Sequence, residues 1–173
     1  MPATSAGLVL FRRIDGGPEV LLGHMGGPFW ANKNAGAWTI FKGEPEPGED
    51  PHDAALREAG EELGLEIPPP LQPAVPDVDL GEIRQRAGKR VLAWAREVAP
   101  DALDLSKFRS NTLEIEWPPR SGVQLEIPEL DRAAWFTPSH ARELVIQAQT
   151  TFIDRLEAAL GAEAEVTRRP TAP

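Results

Sequence analysis

The chain has 173 residues, 41% of them apolar and 26% charged, which is the size of one domain and a globular mix that excludes global disorder. Its 27 acidic and 18 basic residues leave a net charge of −9, so broad electrostatic binding to a phosphate backbone is not expected. Cys is absent, which excludes disulfides, thiolate metal sites and a Cys nucleophile and fits a reducing compartment, taken here as the cytoplasm. No apolar run reaches the ~18 residues of a membrane span, and the first residues lack a basic-then-apolar leader pattern. Neither a membrane partner nor export is expected.

Ser5 to Ile14 is rich in β-formers and closes on the turn residues Asp15-Gly16-Gly17-Pro18, after which Val20-Leu21-Leu22 resumes the strand pattern. Residues 5–24 therefore predict a hairpin. The stretch from Gly26 to Trp38 holds too much Gly and Asn for a regular element, yet carries Phe29, Trp30 and Trp38. A short strand from Trp38 to Phe41 leads into Gly43. Residues 51–64 give the clearest helix: Asp50 suits the N-cap, Pro51 the first helical position, Asp53 the acid of a capping box, and Gly64 the stop.

Five prolines between Pro68 and Pro76 make that connection rigid and non-helical. Val91 to Val98, Thr112 to Trp117 and Ala133 to Phe136 read as strands. A helical stretch from Pro138 to about Leu160 is expected to bend or break near 147–150. Residues 1–161 form one mixed α/β domain on this reading, and 162–173 a frayed polar tail.

Chemistry concentrates in residues 43–65, GEPEPGEDPHDAALREAGEELGL. At ~100° per residue, Glu58, Glu61 and Glu62 share one helix face, while Leu56, Ala59, Gly60 and Leu63 form the expected core face opposite. Like charges at i,i+3 and i,i+4 each cost roughly 0.2–0.5 kcal/mol. Carboxylates in the last turn also oppose the helix dipole, and Gly60 adds about 1 kcal/mol relative to Ala. Arg57 can offset one of these charges by pairing with Glu61. A hard divalent cation would offset more, since Mg²⁺ takes oxygen ligands from a few carboxylates and shares the rest with water and phosphates. A solvated acidic face is the plain alternative for E-x-x-E-E alone.

The flanks decide between them. Gly43, Glu49, Arg57, Glu58, Glu61, Glu62 and Gly64 match G-x5-E-x7-R-E-U-x-E-E-x-G-U, with Ala59 and Leu65 at the apolar positions. Seven fixed positions match by chance at about 10⁻⁹ per start site. This box resembles the signature of the Nudix hydrolases. The resemblance implies an α/β/α sandwich with a mixed, partly antiparallel sheet and the box as loop–helix–loop. It implies that Glu58, Glu61 and Glu62 bind Mg²⁺ or Mn²⁺, with the Gly43 carbonyl beside them, and that Glu49 and Arg57 form a structural ion pair. It also implies hydrolysis of a nucleoside diphosphate linked to another group by water attack at phosphorus. Homodimers are common in the family.

Relatives often supply a further catalytic Glu from outside the box. Glu114, Glu116, Glu126 and Glu129 are candidates; Glu129, six residues before Trp135, has the spacing of the diadenosine polyphosphate enzymes, with Glu126 in reserve. The lead-in Phe41-Lys42-Gly43-Glu44 resembles that subgroup too, with Phe41 standing where proline is expected. Lys42 suits a polyphosphate oxygen. Phe29 and Trp30 suit stacking on a base, whereas Trp38 suits packing. The turn Glu116–Gly122 presents Arg120 as a candidate phosphate contact. A nucleoside polyphosphate, either a dinucleoside polyphosphate or an NTP, is the expected substrate. ADP-ribose cleavage, and a catalytically silent nucleotide sensor, stand as alternatives.

Overall fold

The computed structural model describes residues 3–168. Among these residues are nine strands: β1 (Thr4–Ile14), β2 (Gly17–Met25), β3 (Trp38–Thr39), β4 (Phe41–Gly43), β5 (Val78–Arg84), β6 (Arg90–Glu97), β7 (Thr112–Glu116), β8 (Gln124–Pro128) and β9 (Leu130–Phe136). Three α-helices accompany them: α1 (Pro51–Leu63), α2 (Pro138–Leu144) and α3 (Thr150–Arg168). Seven strands share one mixed sheet, in which β1 runs parallel to β6 and antiparallel to β2 and β4. No helix of the described residues is long and apolar enough to cross a membrane.

Successive residues of β1 point to opposite faces, and both faces are covered. Val9 and Phe11, with Val20, Leu22 and Val91, pack on Ala141 and Leu144 of α2 and on Phe152, Ile153 and Leu156 of α3. Ala6, Leu8 and Leu10, with Leu21 and Phe41, pack on Ala54, Ala55, Ala59 and Leu63 of α1. This is the expected three-layer α/β/α arrangement. Phe41 is fully buried in the second core.

The sheet is forked. β1 pairs with β2 only near their shared turn, Phe11↔Val20 to Ile14↔Gly17. Beyond it the two strands part, and the segment 38–43 inserts between them. β3 pairs with β2 through Gly23↔Thr39 and His24↔Trp38, while β4 pairs with β1 through Ala6↔Gly43 to Leu8↔Phe41. The single strand expected over 38–41 is therefore two. At the step between them the Ile40 N–H donates to the side-chain oxygen of buried Gln149 (2.9 Å). Met25 N–H donates to the Ala37 carbonyl (2.9 Å) and closes the neck of the 26–37 loop.

Several expectations need correction. The core face of α1 is Ala54, Ala55, Ala59, Glu62 and Leu63, not the Leu56–Ala59–Gly60–Leu63 stripe. The small alanines let the helix approach the sheet closely and carry Glu62 into the contact. Asp50 caps α1 through His52 N–H (2.8 Å) and Asp53 N–H (3.3 Å), but the Asp53 carboxylate returns no hydrogen bond, so the capping box is half formed. Strands β5 and β8 add to the expected set. The helix after Pro138 breaks at Val145–Ile146 and resumes as α3, which continues through Arg168. The tail expected over 162–173 is thus helical as far as 168; residues 169–173 lie outside those described.

Candidate active site

Helix α1 sets the carboxylates. Gly64 ends it in the left-handed region (φ 63°), and a Cβ there would lie 2.1 Å from the Arg109 carbonyl oxygen, so only glycine lets the chain turn away. Arg57 gathers the box. Its Nε and Nη2 donate to the two oxygens of Glu49 (2.8 and 2.9 Å). Its Nη1 donates to Glu58 (2.9 Å) and Glu61 (3.2 Å), and Nη2 reaches the Glu44 carbonyl (3.3 Å). The guanidinium beside Glu49 holds that carboxyl down at about 2, and the same bonds raise Arg57 itself. The Glu49–Arg57 pair fixes the box loop to the helix.

Three glutamates differ in setting. Glu61 lies at the rim, with its side chain 48% exposed. Glu58 is partly buried and rests against β4: a Cβ on Gly43 would come within 2.0 Å of its carboxylate, so residue 43 must lack a side chain. Glu62 is buried, and its Oε2 accepts from the Lys42 backbone N–H (2.9 Å). Burial raises its pKa to about 8, with Lys42 opposing and Glu129 and Glu58 adding to the rise.

These oxygens form a hard donor set suited to Mg²⁺ or Mn²⁺. The gap that Gly43 leaves for the Glu58 carboxylate, and the buried carboxyl of Glu62, fit a cation at this place. A separate group, Asp50, His52 and Asp53, brings ligand atoms within 4.8 Å of one another. Asp50 is already the helix cap, and His52 Nε2 lies 2.7 Å from Asp77, so structural bonds account for that group.

A cleft of about 290 Å³ opens beside the box, lined by Lys42, Glu62, Glu129, Thr39, Phe29, Trp30, the 25–27 backbone and the ribbon residues Leu113, Ile115 and Ile127. The ribbon is the antiparallel pair β7–β8, registered Leu113↔Ile127 and Glu114↔Glu126. Leu113, Ile115 and Ile127 face the cleft, and the alternate residues Glu114 and Glu126 lie on the other side. Desolvation pushes the Lys42 ammonium down, against the pull of Glu62, Glu129 and Glu58. Phe29 is half exposed and meets Trp30 edge to face at 4.7 Å; Trp30 also packs on the core beneath α2 and α3.

The cleft thus gathers Glu62, Glu129, Lys42, Phe29 and Trp30. It does not include Arg120, which is exposed in the turn at the far end of the ribbon with φ 64°. Glu126 accepts from Thr112 Oγ1 (2.8 Å) and Glu116 from Gly122 N–H (2.7 Å), both on the ribbon itself. Trp38 is buried, with its ring edge-to-face on Phe136 at 4.8 Å. Sequence reasoning missed Leu113, Ile115 and Ile127. Their alternation with glutamates was the signal, and pairing β7 with β8 would have exposed it.

Residues 1–156 match the sequence profile of the NUDIX domain, and the chain belongs to that family of pyrophosphohydrolases. Its fold is similar to that of a Caenorhabditis elegans Ap4A hydrolase, solved as a binary complex (23% identity, TM-score 0.59, 92% of this chain and 98% of that one). A mutT/nudix family protein from Listeria innocua is similar too (17%, TM-score 0.60, 96% and 99%), as is the Nudix domain of Shewanella oneidensis NrtR, solved with ADP ribose (14%, TM-score 0.58, 92% and 89%).

Proposed function

We propose that the chain hydrolyses a phosphoanhydride bond of a nucleoside polyphosphate, a dinucleoside polyphosphate or an NTP, with Mg²⁺ or Mn²⁺ as cofactor. The observation that carries this reading is one cleft whose lining joins Glu62, Glu129 and Lys42 to the aromatic and aliphatic side chains of Phe29, Trp30, Leu113, Ile115 and Ile127. Glu58, Glu61, Glu62 and the Gly43 carbonyl would hold the cation. When bound, it supplies Lewis-acid stabilisation of phosphate charge and acidifies a water.

The chain's own residues do the rest. Lys42 pairs with a phosphate oxygen and holds the diphosphate beside Glu62. Glu129, which lines the cleft with Lys42 and Glu62, takes the proton of the attacking water. The water oxygen bonds to phosphorus as the bridging oxygen leaves with the departing phosphate. Phe29 and Trp30 on one side, and Leu113, Ile115 and Ile127 on the other, enclose the base and exclude water from it.

Product analysis over diadenosine polyphosphates, NTPs, ADP-ribose and NADH, in Mg²⁺ and in Mn²⁺, tests the reading. Cleavage of a nucleoside polyphosphate is expected, with Glu62→Gln lowering kcat/KM about 10³-fold. Tight metal-dependent binding without turnover would replace the enzyme with a nucleotide sensor. A clear preference for ADP-ribose would change the leaving group and keep the chemistry.

A further inference from the structure

His24 lies on β2, fully buried, and takes no part in the hydrolysis. Both of its ring nitrogens face acceptors: Nδ1 lies 2.9 Å from Asp131 Oδ1 on β9, and Nε2 lies 2.7 Å from the Lys33 backbone carbonyl in the 26–37 loop. The Lys33 carbonyl can only accept, so Nε2 carries a hydrogen and donates to it. An apolar side chain would fill the same space against Trp38, whose ring is 5.1 Å away. A buried imidazole is matched only by the two bonds it makes.

From Lys33 the contacts continue to the cleft. Its Nζ stands 3.1 Å from the Phe29 ring centroid and 5.2 Å from that of Trp30. Within the loop the backbone bonds are short-range, Trp30 and Ala31 to Gly27, Lys33 to Trp30 and Ala37 to Asn34, and at its start Gly26 N–H donates to the Glu129 carbonyl (3.0 Å). Beyond the Met25–Ala37 neck, the side-chain bonds from the sheet to the loop are those of His24 and of the neighbouring Trp38 Nε1, which donates to Asn34 Oδ1 (2.8 Å). The other charged group facing this cluster is Arg132, opposite His24 in the sheet, with its guanidinium 5.2 Å from the Trp38 ring.

We propose that His24, braced by Asp131, is a positioning residue for nucleobase binding: it pins the loop through the Lys33 carbonyl and so sets Phe29 and Trp30 against the cleft before substrate arrives. This rests on the reading of the cleft as a nucleotide site. Ordering the wall in advance lowers the cost of binding. Glu58, Glu61 and Glu62 stand on α1 and Lys42 on β4, neither of which His24 bonds to, so the effect falls on KM and spares kcat.

The test compares wild type with His24→Leu, His24→Gln and Asp131→Ala. Three quantities are read: amide hydrogen exchange over residues 29–34, KM and kcat for the nucleoside polyphosphate that wild type cleaves, and the thermal midpoint. His24→Leu is expected to speed loop exchange and raise KM each about tenfold, as losing one buried hydrogen bond implies, with kcat within about twofold. His24→Gln, whose amide N–H can reach the same carbonyl, is expected to recover most of both. Loop exchange unchanged in His24→Leu, or a fall in kcat at constant KM, overturns the proposal. Should His24→Leu fail to fold, Asp131→Ala, altered at a partly exposed position, is expected to shift the same quantities in the same direction, and unchanged loop exchange there overturns the proposal equally. If wild type cleaves no nucleoside polyphosphate, the reading of the cleft fails on its own, and the exchange rates alone decide whether His24 pins the loop.

Discussion

Glu62 carries two opposed demands. It sits in the core contact of α1, where burial favours the neutral acid, and in the donor set, where a cation requires the carboxylate. Its folded pKa of about 8 lies above the ordinary 4.5, so the folded chain keeps a proton that the unfolded chain releases. The penalty is absent below about pH 4.5 and complete above about 8, so stability of the metal-free protein falls as pH rises through that window. Denaturant midpoints at pH 5, 6.5 and 8.5 are expected to decline in wild type. Glu62→Gln should flatten the decline, and Mg²⁺ should reverse it at the alkaline end by binding the ionised form. Midpoints that rise over this range would place an ionised Glu62 inside the fold. Glu49 acts in a different window: held down at about 2 by Arg57, its contribution is present above the ordinary carboxylate value and lost as pH falls toward 2. The identity of these glutamates was legible because the box is a local pattern. Their unequal burial was not, because residue type suggested a wet acidic face where the helical period allowed a buried one. Arg120 misled for a related reason: a turn residue's reach depends on where the hairpin points, which spacing does not encode.

Elements were legible wherever one local signal dominated. The hairpin turn, the Asp50 cap and the Gly64 stop each rest on one or two residues. Strand β5 escaped because its sequence VDLGEIR mixes acids with a glycine, and its pairing with β6 slips between Asp79 and Glu82. Strand β8 escaped because its partner sets its role: alone, QLEIP is a short alternating run ending in proline, and beside β7 it becomes the lid of a cleft. The half-formed capping box has a direct consequence. Asp50→Ala is expected to cost about 1 kcal/mol, and Asp53→Ala at most about 0.5 kcal/mol, through the helix dipole alone. Urea denaturation of both variants separates the two roles, and equal losses would restore the full box.

At the scale of the molecule, two helical layers grip one forked sheet, and few side chains tie the layers across the fork. Gln149 is the clearest. It stands in the short turn that interrupts the helices after α2, accepts from the Ile40 N–H and donates to Thr39 Oγ1 (3.0 Å). That interruption, expected from the sequence as a bend or break near 147–150, is what aims Gln149 at the step between β3 and β4. Gln149→Leu leaves a buried N–H unpaired and is expected to cost about 1–3 kcal/mol, with faster hydrogen exchange at Ile40. A loss under about 0.5 kcal/mol would mean that water takes over the bond.

The fork also sets one segment apart. Residues 26–36 leave and rejoin the sheet at one neck, and none of them takes part in a strand pairing. They form an excursion from the sheet that is separate from the helix carrying Glu58, Glu61 and Glu62, so on the proposed reading the base-binding wall and the metal-binding end are built from different segments. A loop of another sequence placed here must still offer acceptors where the Lys33 carbonyl meets His24 and the Asn34 side chain meets Trp38.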